Sequence, residues 1–192
     1  MIVLTSTISD ISEMEKVDQY ISDIAQNEES SSMEQLYFAI KDAVFGYALS
    51  ILKNAHDAED VLHDCCITIY QSAYTYKSVG KPMAWILTIT RNLCLGKLRS
   101  RSRISDLPEE DWEPYLQSNE RISIEDKVVL EHCLRDLQDD EREILLLHIF
   151  SSMKHREIAE LTGKPLSTIL SKYHRALKKM RVILTEEGRT NG

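Results

Sequence analysis

Apolar residues in this chain recur at steps of three and four, and hardly anywhere at steps of two. Over residues 11–26, "ISEMEKVDQYISDIAQ", Ile11, Met14, Val17, Ile21 and Ile24 form one stripe with acids opposite, the pattern of an amphipathic helix. "NEESSS" breaks that helix, offers serine caps and starts a second one near Met33. Its apolar face runs through Leu36, Tyr37, Ile40, Val44, Tyr47, Ala48 and Ile51. "KNAHD" predicts a turn, with Asp57 as N-cap of the helix "AEDVLHDCCITIYQSAYTY". "KSVGKP" is the next break, and Pro82 suits the first turn of a helix through about Arg101.

Residues 104–122, "ISDLPEEDWEPYLQSNERI", lose the periodicity; two prolines and six acids predict an acidic linker. Helical spacing resumes at "SIEDKVVLEHCLRDL", where Ser123 and Asp126 resemble a cap. Three more helices follow in "DDEREILLLHIFSS", "KHREIAELTG" and "PLSTILSKYHRALKKMRVIL". The expected fold is all-α. A helical domain over 1–103, with an N-terminal extension, is joined by the 104–122 linker to a second over 123–186, and 187–192 form a flexible tail. Composition agrees: the hydrophobic fraction of 43% suffices for cores, while 7% aromatic residues, six Gly and four Pro argue against a β sandwich or barrel.

Charge is segregated. The chain carries −8, yet the 41 residues between Asp64 and Asp106 hold seven bases and no acid, and the 25 between Glu160 and Glu186 hold six and none. The remaining 126 residues therefore carry −21. Such separation predicts two faces for a polyanion in a body that repels it, against the plainer alternative of two solvated helix faces.

Other classes fit poorly. No apolar run approaches the roughly 18 residues that span a membrane, and "MIVLTSTISDISEMEK" lacks the basic and apolar regions of a signal peptide. The expectation is a cytoplasmic protein, not inserted in a membrane. Cys65, Cys66, Cys94 and Cys133 form no CxxC pair and are expected reduced; "HDCC" has no second ligand pair at finger spacing, so no metal or cofactor is expected. A hydrolase built on His63, Asp64 and the cysteines would lack a nucleophile elbow or phosphate loop, so no enzyme is expected.

Ala159, Gly163 and Ile169 have helix-turn-helix spacing: a small residue at the crossing, a glycine for the turn's positive φ, and an apolar plug between helices. Pro165 opens the second helix, with Ile169, Tyr173, Ala176, Leu177 and Met180 as its inward stripe. Ser167, Thr168, Ser171, Lys172, His174, Arg175, Lys178 and Lys179 remain outside, early polar residues for base edges and later bases for phosphates. A helix-turn-helix regulator that binds duplex DNA unaided fits this half equally well.

The first half distinguishes the two. "NAHDAEDVLHDCCITIYQSAYTY" resembles region two, and "LRDLQDDEREILLLHIFSSMKHREIAELTGKPLSTILSKYHRALKKMR" region four, of bacterial extracytoplasmic-function sigma factors. "KPMAWILTITRNLCLGKLRSRSR" continues the match through Trp85, Ile86, Ile89, Arg91, Asn92, Leu93, Leu98 and Arg99. The resemblance implies that Asp57, Glu59, Asp60 and Asp64 dock on the clamp of the polymerase largest subunit. It implies that Arg91, Asn92, Lys97, Arg99 and Arg101 meet the −10 element, and that "TYKSVGKP" holds a flipped base. The second half would bind the −35 element and the flap of the second subunit, and an anti-sigma factor would be a further partner. Departures are Leu166, Ser167 and Leu170 in the recognition helix, and Gly96, where the family usually has an acid.

Overall fold

The computed structural model describes residues 11–26, 31–102, 131 and 135–190. Helix α1 spans Ile11–Gln26, α2 Ser32–Leu52, α3 Ala55–Ser72 and α4 Pro82–Ser102; a 3₁₀ turn, Ala73–Thr75, follows α3. Then come α5, Asp139–Ser151, α6, His155–Thr162, and α7, Leu166–Thr190. There is no strand among the described residues, as the periodicity predicts. None of the described helices is long and apolar enough to cross a membrane. The expected linker, 104–122, and the Ser123 cap lie outside the described residues. Residues 187–190, expected in a flexible tail, continue α7, because no proline interrupts its hydrogen-bond ladder.

Helix α2 is the axis. Its stripe becomes a full circumference of buried residues from Ala43 to Ser50, since α1, α3, α4 and α5 all pack on it. The helix stops at Lys53, which takes the left-handed conformation (φ 54°) and donates its N–H to Leu49 O at 2.8 Å. The cap of α3 is then Asn54, not Asp57: Asn54 Oδ1 accepts the Asp57 N–H at 2.9 Å. Asp57 is thereby moved into the first helical turn and becomes available to α4. Pro82 does open α4.

The second half does not stand apart from the first. Ile144, Leu146 and Leu147 of α5, Met153, Ile158 of α6 and Ile169 of α7 belong to the same apolar core as α1–α4. Each such buried side chain contributes about 1.5–3 kcal/mol. A smaller cluster, Leu137, Leu145, Ala176 and Met180, closes α7 onto α5. Leu177, expected on the inward stripe, is 38% exposed instead, because the buried face of α7 is the narrower line Ile169–Ala176–Met180.

Candidate nucleic-acid interface

Helix α3 divides its acids between two faces. Asp57 is buried, 9% exposed, and turns toward α4, where Lys97 Nζ lies 3.3 Å from Oδ1 and Arg101 pairs with Oδ2. Asp60 is half-buried and receives Lys97 Nζ at 2.8 Å, with His56 Nδ1 at 3.6 Å. That lysine hydrogen bond, working against desolvation, holds the Asp60 carboxyl below its ordinary range. Burial alone would lower the Lys97 ammonium, but its bonds to Asp60 and Asp57 prevail and raise it. Glu59 and Asp64 are exposed. The four acids thus do not form one face; Asp57 serves the α3–α4 contact.

Sequence reasoning missed what accompanies Asp60 and Asp64. Ile67, Tyr70 and Tyr74 are 55%, 61% and 77% exposed; helical spacing sets Ile67 on the side of Asp60 with Tyr70 at its edge, and Tyr74 follows in the 3₁₀ turn. The signal was present: Cys65, Cys66 and Ile69 already fill the inward positions, leaving these apolar residues outside. Burial pushes the thiols of Cys65 and Cys94 up to about 12 and that of Cys66 to about 11. At neutral pH all three are protonated and poor nucleophiles.

Along α4 the candidate bases differ. Asn92 and Arg99 are exposed, while Lys97 and Arg101 are engaged by the α3 acids. Arg91 is largely buried and donates from Nε to Glu143 Oε1 of α5 at 2.8 Å. The loop before α4 is held from α1: Tyr76 Oη and Ser78 Oγ both donate to Asp18. Tyr76 also packs on Trp85, ring centroids 4.9 Å apart. Behind this loop a cleft of about 550 Å³ runs between Tyr76, Lys81 and Trp85 on one wall and Met153, Glu157 and Glu160 on the other.

Helices α6 and α7 form the expected helix-turn-helix. Gly163 makes the turn at φ 69°, and the N–H of Lys164 reaches Ala159 O at 3.2 Å. Pro165 sits one residue before α7, its carbonyl accepting the Ile169 N–H at 3.1 Å. Ser167, Ser171, His174, Arg175 and Lys178 are exposed; Thr168, Lys172 and Lys179 are half-buried. Acids at the start of α5 hold several of these bases. Asp140 receives Lys164 at 2.5 Å and Lys172 at 2.9 Å, and these two hydrogen bonds lower its carboxyl from the ordinary range. Glu141 receives Lys179 at 2.7 Å, with Arg175 at 3.7 Å. Burial would raise the Glu141 carboxyl, but Lys179 and the Gln138 backbone outweigh it, so it too is lowered.

The arrangement is thus one exposed acid-and-apolar helix face, one basic helix beside an aromatic loop, and one helix-turn-helix with a polar outer face. Comparison with known proteins gives the same order. The model for Sigma-70 region 2 matches residues 36–104, and that for Sigma-70, region 4 matches residues 127–180. The chain belongs to the extracytoplasmic-function sigma factors. It is 29% identical over 147 residues to RNA polymerase sigma factor SigV of Bacillus subtilis, covering 77% of this chain and 87% of that one. Identity is also 29% over 161 residues with ECF RNA polymerase sigma factor SigE of Mycolicibacterium smegmatis, covering 81% of this chain and 62% of the longer relative. The fold resembles sigma factor RpoE of Bartonella quintana, solved with the anti-sigma factor NepR, at TM-score 0.57 and 20% identity, over 81% of this chain and 98% of that one. A sigma factor serves transcription initiation by giving RNA polymerase its promoter recognition. In this one, α2 from Leu36 onward, α3 and α4 fall in region 2, and α5, α6 and α7 as far as Met180 fall in region 4, while all of α1 precedes the region 2 match.

Proposed function

We propose that this sigma factor docks on the clamp of core polymerase through α3 and reads its promoter through α4 and α7. The observation that carries the reading is the outer face of α3, where Asp60 and Asp64 accompany exposed Ile67 and Tyr70, with exposed Tyr74 in the 3₁₀ turn that follows. A monomer gains nothing by leaving three large apolar residues beside carboxylates, whereas a basic partner helix would cover both. Glu59 borders this face, and Asp57 supports it from within. On the promoter side Asn92 and Arg99 meet the −10 element directly, and Arg91, Lys97 and Arg101 join them once released from their acids. Ser167, Thr168, Ser171 and Lys172 lie in the first two turns of α7, where side chains enter the major groove of the −35 element. His174, Arg175, Lys178 and Lys179 follow along the backbone.

The protein works by binding rather than catalysis, in the cytoplasm where polymerase resides, with region 4 on the flap of the second subunit. An anti-sigma factor is its expected restraint. Asp60→Arg combined with Asp64→Arg is the test. The double variant should lose co-elution with core polymerase while keeping wild-type helical content by circular dichroism. Retained binding at native affinity would remove α3 from the docking assignment.

A further inference from the structure

Helix α7 has two unlike flanks. On one, Lys172 pairs with Asp140 at 2.9 Å and Lys179 with Glu141 at 2.7 Å, so both ammonium groups lean toward α5. On the other, Leu166, Leu170 and Leu177 are each 38% exposed. Steps of four and seven set them in one line along the helix, with half-buried Tyr173 filling the gap. Apolar residues scattered singly over a surface call for no explanation, but three in register beside a polar face do. Closure of α7 onto the rest of the molecule does not supply one, since it is made by the buried line Ile169–Ala176–Met180.

The first two turns of α7 are also short of the groups that read guanine. A guanine edge is read mainly by a bidentate Arg or Lys, and residues 166–172 hold no Arg and a single Lys, Lys172. What these turns present outward is hydroxyl and hydrocarbon, with exposed Ser167 and Ser171 next to Leu166 and Leu170. Among the base edges of the major groove, the hydrocarbon group is the C5-methyl of thymine. Leu166 and Leu170 are moreover two of the places where this helix departs from its family.

We infer that Leu170, flanked by Leu166, reads the C5-methyl of a thymine in the −35 element and so helps to set which promoters this chain selects. Leu170 lies in the second turn, between Ile169 of the core and the groove-facing Ser171, whereas Leu177 lies two turns further on, where the helix meets backbone. The inference rests on the reading of α7 as the −35 helix and adds a base to it.

The test uses holoenzyme assembled from core polymerase and the full-length chain. Bound duplexes are selected from a pool randomised across the upstream element. The recovered sequence is then resynthesised with deoxyuridine in place of one thymidine at a time, which removes the methyl and keeps the base pair. At one position uridine should weaken wild-type binding by about fourfold, the worth of one buried methyl. Leu170→Ala should bind the two templates equally, and Leu177→Ala, at a leucine of equal exposure, should discriminate as the wild type does. Circular dichroism checks the helical content of both variants, and the uridine comparison on the unaltered protein needs neither. An upstream sequence without thymine, uridine tolerated at every position, or discrimination retained by Leu170→Ala overturns the proposal and leaves the reading of α7 intact. If Leu170→Ala weakens binding alike on both templates, the leucine line contacts protein instead, and the proposal is again overturned. Recovery of no shared upstream sequence removes α7 from promoter recognition and the proposal with it.

Discussion

His155 shows how one side chain couples region 4 to pH. Its ring stacks on His148, centroids 4.8 Å apart, with Tyr173 edge-on to both. His148 Nδ1 is engaged with the Met153 carbonyl at 2.8 Å, and His155 Nε2 is buried without a hydrogen-bond partner. Burial first, then the charges of His148 and His174, lower the His155 pKa from its ordinary value. A histidine lowered on folding favours the neutral form. Its stabilisation is complete above the unfolded value of about 6.5 and is lost as pH falls through the folded value. The melting temperature should therefore drop below pH 6.5, and His155→Phe should flatten that drop. An unchanged slope in the variant would show that other groups carry it. Sequence alone offered His148 and His155 only as members of two helices. Their stacking depends on how α5 and α6 cross, which no local spacing encodes.

At the scale of elements, two glycines make opposite predictions. Gly96 lies inside α4 with no atom within 4 Å of an added Cβ, so Gly96→Ala should stabilise by about 1 kcal/mol. Gly163 has equal space but φ +69°, so Gly163→Ala should cost about 1–2 kcal/mol through backbone strain alone. Chemical denaturation of both variants measures the contrast; two changes of the same sign would refute the turn assignment. The helices and this turn were legible because stripe, proline and glycine are local signals. The α3 start was misjudged because Asn54 and Asp57 are both good caps, and which residue caps follows from where Lys53 ends α2. Leu177 was misassigned for a related reason. An apolar stripe on a helix is wider than the line that finds a partner.

The whole molecule answers its charge segregation with its own acids. Asp139, Asp140, Glu141 and Glu143 all lie in the first two turns of α5, and between them they hold bases of both halves: Lys53, Arg91, Lys164, Lys172, Arg175 and Lys179. Two acid-free windows were visible in the sequence, and so was "DDERE". That the second neutralises much of the first could be learned only from the packing of α5 between α2 and α7. Partly buried pairs resist salt screening better than exposed ones, so the free chain should remain a poor ligand for duplex DNA. The most direct test of the central claim is to map transcription starts in vitro on fragmented genomic DNA, with core polymerase alone and with core polymerase plus this chain. Discrete starts should appear only with the chain, each preceded by shared sequence near −10 and −35. Absence of such starts, together with tight sequence-specific binding of duplex DNA by the chain alone, would contradict it.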